Sequence, residues 1–146
     1  KIKFFQVRRL VVIFFLLTFA SAEADKQPKW VSVHHILLPY YKLFNEYVDT
    51  EGKLGEFVLI KFSRLLPDNT LGIAYGMDAN VTFVEINANK WNRLSPNQKT
   101  YVLLHELAHD VLNWEHNNGK DLMVTALPPV VTTEMIEQAL EDLKNG

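Results

Sequence analysis

Cysteine is absent from the 146 residues, which excludes a disulfide framework and a lipid anchor on an N-terminal cysteine. No apolar run approaches the roughly 20 residues that a membrane-spanning helix needs. The longest, Leu10 to Phe19, is interrupted by Thr18 and soon followed by Glu23 and Asp25. Basic residues do not cluster beyond the first nine positions, so neither nucleic acid nor an anionic membrane is an expected partner. Repeats, low-complexity tracts and linkers are missing too. The chain reads as a single domain.

The first residues carry an address. Lys1, Lys3, Arg8 and Arg9 precede the apolar run, and Ala20-Ser21-Ala22 supplies small residues for a cut. This is the pattern of a secretory signal peptide over residues 1–22, with a mature domain of residues 23–146 in an extracellular or periplasmic compartment. Removing the four basic residues of the head leaves 11 basic residues against 17 acidic ones, a net charge of −6. A domain of this size can bury a core. Without disulfides, a bound metal would add stability in such a compartment.

Residues 30–38 are ambiguous between a strand and the approach to a helix. From Pro39 to Asp49, Tyr40, Leu43, Phe44, Tyr47 and Val48 recur at helical spacing, with Gly52 and Gly55 at the exit. His34 and His35 are adjacent and should point apart, as surface or core imidazoles rather than ligands. Glu56–Ser63 is apolar on both alternations, as in a strand covered on both faces. Leu71–Tyr75 and Val81–Asn87 alternate as two further strands, the latter with one wetter face. Thr132 or Thr133 can cap a last helix carrying Met135, Ile136, Ala139, Leu140 and Leu143 on one side.

Between these segments lies the stretch that carries chemistry. Ser95-Pro96-Asn97-Gln98 forms a capping box with proline at the first helical position. The helix it opens runs to about Leu112 and contains His105-Glu-Leu-Ala-His109. A helix turns 100° per residue, so these two histidines lie about 40° apart in projection and one turn apart along the axis. That spacing suits two imidazoles on one Zn²⁺, with Glu106 beside them to serve a zinc-activated water as general base. Leu103, Leu104, Leu107 and Val111 form a core stripe. Val102, His105, His109 and Leu112 fall opposite it. Asp110 points about 100° away from His109 and reads as a solvated charge.

A catalytic zinc needs a third protein ligand and an open position. His116 leads the candidates. On a continuous helix it would lie about 10.5 Å beyond His109, so the chain must stop and fold back. Asn113 permits this, because asparagine accepts the left-handed conformation of a helix C-cap. Glu115, Asp121, and Glu134 or Glu137 on the last helix are the rivals.

His105-Glu-x-x-His109 with His116 after a helix-breaking Asn113 resembles the metzincin clan of zinc endopeptidases. Their signature is His-Glu-x-x-His-x-x-Gly-x-x-His followed by a methionine-containing turn. Here asparagine stands for the glycine and the helix is one residue longer. The stretch is similar to small secreted bacterial matrixin-like metallopeptidases that space the third histidine as this chain does. Ile86, Trp91, Leu94-Ser95 and Gln98 match their approach to the helix, so the resemblance covers residues 81–125.

The resemblance implies an α+β, zincin-like fold: a twisted mixed sheet, a backing helix, the active-site helix, a Met-turn at Met123 and a C-terminal helix. It implies a secreted, monomeric zinc endopeptidase acting on protein or peptide substrates. The strand before the helix, Val81–Asn87, would offer its edge to an extended substrate. Without cysteine, a cysteine switch is not expected. Two readings compete: a catalytically inactive zincin-fold binding or scaffold module, and a gluzincin-type peptidase with Glu134 or Glu137 as third ligand.

Overall fold

Parallel strands need a crossover connection, usually helical, and the first half of the chain supplies one. The computed structural model describes residues 27–76 and 80–146, so the segment read as a signal peptide lies outside the described residues. Strand β1 (Trp30–Val33) leads through helix α1 (Leu38–Tyr47) to β2 (Phe57–Ser63). The ambiguity of residues 30–38 is resolved as both structures in turn, strand and then helix. Pro39 sits in the first turn of α1, where its missing N–H is harmless.

β2 continues through a loop to the short β3 (Gly72–Ala74), then β4 (Val81–Asn87). The sheet order is β1-β2-β4-β3, with β1, β2 and β4 parallel and β3 antiparallel to β4. After β4 come a single turn of helix, α2 (Ala88–Trp91), the long helix α3 (Pro96–Leu112), a 3-10 turn (Asp121–Met123) and α4 (Thr133–Lys144). The architecture is mixed α+β, as expected. None of the described helices is long and apolar enough to cross a membrane.

Helix α3 is the structural centre. It packs on β3 and β4 and against α1 and α4. Leu103, Leu104 and Leu107 are wholly buried, each contributing about 1.5–3 kcal/mol by leaving water. On the sheet, Val58, Ile60, Thr82, Val84 and Ile86 face this core. Ala139, Leu140 and Leu143 of α4 close it from the other side.

The structure departs from three expectations. β2 is closed on one face only: Phe57 and Lys61 are exposed and Leu59 half-buried. Two of its outward residues, Phe57 and Leu59, are apolar without being fully covered, so the alternation that marks a one-sided strand is blurred. β4 is not an edge, because β2 and β3 flank it; the edge beside α3 is β3. His34 and His35 do not point apart. They occupy a turn in which their rings stack with centroids 4.5 Å apart, and the Ile36 N–H donates to His34 Nδ1.

Candidate metal centre

The site starts with two helix caps. Ser95 Oγ accepts from the Gln98 N–H, and Gln98 Oε1 accepts from the Ser95 N–H, so both halves of the capping box form. At the other end of this 17-residue helix Asn113 adopts φ 54°, ψ 33°, and its N–H donates to the Ala108 carbonyl. Asn117 (φ 58°) and Gly119 (φ 88°) continue the reversal in the left-handed region. These are conformations that asparagine and glycine accept at low cost. The chain therefore folds back over the end of α3 and brings His116 to the helix.

The three histidines meet at their Nε2 atoms. His105 and His109 are 3.1 Å apart, His109 and His116 3.1 Å, and His105 and His116 3.2 Å. His105 Nδ1 lies 2.6 Å from the Leu122 carbonyl oxygen, and His109 Nδ1 lies 2.5 Å from that of Trp114. A carbonyl can only accept, so both rings carry their proton on Nδ1 and turn a lone pair inward on Nε2. Burial pushes the His105 imidazolium down to about 4, against the raising effect of the Leu122 carbonyl. It lowers His109 in the same way. Both rings are thus neutral near pH 7, and facing lone pairs this close call for a cation between them.

The residues fit zinc. Bonds of about 2.0–2.1 Å at tetrahedral angles place ligand nitrogens roughly 3.3 Å apart, close to the separations found. Among the described residues this is the only group of three or more His, Asp or Glu side chains converging within 4.8 Å. Glu115, Asp121, Glu134 and Glu137 are outside it. Glu134 sits in the first turn of α4, where its own backbone N–H and the Thr132 hydroxyl lower its carboxyl.

Glu106 is buried beside the triad but not within it. Burial pushes its carboxyl up to about 7, opposed by a hydrogen bond from the Ala74 N–H of β3. A cation at the triad would favour the carboxylate again. His105, Glu106 and His116 line a cleft of about 540 Å³, with residues 69–72 on one wall and 124–127 on the other. Glu106 and its neighbours are thereby open to a ligand that approaches between the walls.

Two features escape a helical projection. Tyr101 and Val102 are buried, although Val102 lies opposite the core stripe. The segment after the helix returns over that face, where the Tyr101 hydroxyl donates to the Asp121 carbonyl. Asp110 is not a solvated charge either. Its carboxylate accepts from the Phe83 N–H at 3.1 Å and from the Gly76 N–H and Thr82 hydroxyl. The same hydroxyl accepts from the Gly55 N–H at 3.0 Å. Glu106 and Asp110, one turn apart, thus tie α3 to β3 and its hairpin. The i, i+4 spacing of two carboxylates was the available signal, but their backbone partners have no sequence signature.

Met123, expected as the Met-turn residue, is fully buried. It ends the 3-10 turn, and its carbonyl accepts from the Asn117 N–H at 2.8 Å. The turn that holds Met123 therefore also holds the loop presenting His116.

A family described as "Putative phage metallopeptidase" matches residues 19–125, which include the triad, Glu106 and the whole sheet. No curated protein and no solved structure matches the chain.

Proposed function

The chain belongs to this phage metallopeptidase family, and from that premise we propose that it is a zinc-dependent endopeptidase acting on protein or peptide substrates. One observation carries the reading: three inward-facing imidazole nitrogens within 3.2 Å of one another, beside a buried glutamate that is not one of them. A purely structural zinc site has no use for that glutamate and keeps no open position.

His105, His109 and His116 would hold the metal. Zinc, when bound, supplies Lewis acidity toward water and toward the scissile carbonyl. The protein's own part falls first to Glu106. As carboxylate it takes a proton from the attacking water, and it then delivers that proton to the departing amine. The Ala74 N–H orients it. The Leu122 and Trp114 carbonyls fix the tautomer and tilt of the two helical histidines.

Substrate would lie extended in the cleft, against the free edge of β3 at Gly72. Met123 would form an apolar floor below the triad. Secretion after removal of residues 1–22, action as a monomer and a metzincin-like layout complete the proposal.

The test is mass spectrometry of a proteome-derived peptide library incubated with the zinc-loaded protein and, in parallel, with Glu106→Ala. New peptide termini are expected with the wild type and not with the variant, which should still bind zinc. No new termini from a wild-type protein holding one zinc would favour a non-enzymatic binding module.

A further inference from the structure

Residues 64–71, the connection from β2 to β3, build one wall of the cleft through Asn69, Thr70 and Leu71. Little apolar burial holds this loop. Leu65 is 93% exposed, and Pro67, Asp68 and Asn69 are exposed as well.

One side chain fastens it. Asn87, the last residue of β4, is completely buried. Its Nδ2 donates to the Pro67 carbonyl at 3.2 Å and to the Thr70 carbonyl at 2.8 Å. Its Oδ1 accepts from the Asn89 N–H at 3.0 Å, and its own N–H donates to the Leu71 carbonyl at 2.8 Å. The Thr70 N–H closes the Pro67–Thr70 turn by donating to the Pro67 carbonyl at 2.9 Å.

Both side-chain donors of a buried amide are therefore spent on the wall of the cleft. None of these bonds touches a triad histidine or Glu106. The neighbouring inward positions of β4, Val84 and Ile86, are apolar. A buried amide is costly unless its hydrogen bonds are made; here Oδ1 caps α2, a task an aspartate or serine could also perform, whereas the two Nδ2 donors are needed only by the loop.

We infer that residues 67–71 are a substrate-contacting rim of the cleft and that Asn87 is the residue positioning it. The rim would receive the backbone or side chains of an extended peptide running past Gly72. Asn69 and Thr70 add polar side chains to that surface. The inference rests on the proposed function, because it takes the substrate to be a peptide and the triad to hold zinc.

The experiment uses two zinc-binding probes on the zinc-loaded protein. Acetohydroxamate reaches the metal alone, whereas a hydroxamate carrying a three- or four-residue peptide also lies along the cleft. Affinities are measured by calorimetry for the wild type and for Asn87→Asp, which keeps the oxygen facing Asn89 and loses both donors to the loop. The variant is expected to lose about tenfold in affinity for the peptidyl compound, a change of about 1.4 kcal/mol, and nothing for acetohydroxamate. In the wild type, hydrogen exchange of residues 66–72 should slow with the peptidyl compound only, a readout that stands even where the variant does not fold. Unchanged exchange in the loop, or equal losses for both probes, would overturn the inference. Failure of both probes to bind the wild type would overturn the metal-centre reading, and the inference with it; failure of the peptidyl compound alone would overturn the inference only.

Discussion

Gly72 of β3 lies so close to Glu106 of α3 that a β-carbon at position 72 would sit 2.8 Å from the Glu106 Cγ and 3.0 Å from its Oε1. The glycine is required by this approach and not by backbone conformation. Gly72→Ala should therefore push the carboxylate aside while leaving the triad in place. Misplacing a catalytic group by about 1 Å costs on the order of a hundredfold in rate. The expected result is a fall in kcat of about that size with zinc affinity unchanged, measured by steady-state kinetics and zinc titration of the same samples.

Asp110 accepts from three groups that would otherwise lack this partner: the Phe83 and Gly76 N–H groups and the Thr82 hydroxyl. Asp110→Ala would strip all three at once. Hydrogen bonds to a charged group contribute about 1.5–3 kcal/mol each to stability, and the site is partly solvated. The variant should lose about 2–3 kcal/mol in urea denaturation. A change within about 0.5 kcal/mol, as at an ordinary surface position, would mean that the carboxylate does not fasten helix to sheet.

The reversal at Asn113 makes a third prediction. A left-handed residue other than glycine, asparagine or aspartate costs roughly 1–2 kcal/mol. Asn113→Gly should leave thermal stability and zinc affinity close to wild type. Asn113→Val should lower both, because the strain falls on the turn that brings His116 back. Differential scanning calorimetry with and without zinc separates the two effects.

Much of this site is legible in the sequence because its signals are local. Ser95 and Gln98 announce the start of α3, Asn113 its end, and His105, Glu106 and His109 their common neighbourhood, all through spacings that one helix dictates. His116 follows from the same geometry once the helix must stop. The strands of the sheet are likewise found near their expected limits, because alternation is a property of consecutive residues.

What depends on distant partners is not legible. Asp110 reads as solvated because the N–H groups it meets belong to residues 76 and 83. Asn87 reads as the end of a strand, since its partners are carbonyls seventeen and twenty residues away. β4 rather than β3 looks like the edge because strand order is set by tertiary pairing and not by succession. Val102 projects away from the core stripe and is nevertheless buried, at the cleft that residues 124–127 close from the other side. The outer face of β2 is misjudged for a different reason: Phe57 and Leu59 are apolar and yet only partly covered.

The central question is whether His105, His109 and His116 hold one metal. Zinc-edge X-ray absorption on the loaded protein and on His116→Ala tests this directly. The prediction is one zinc per chain with three imidazole nitrogens at about 2.0–2.1 Å, reduced to two in the variant with weaker zinc binding. A wild-type spectrum with two imidazoles and a carboxylate oxygen, left unchanged by His116→Ala, would contradict the account and point to a glutamate such as Glu134 or Glu137.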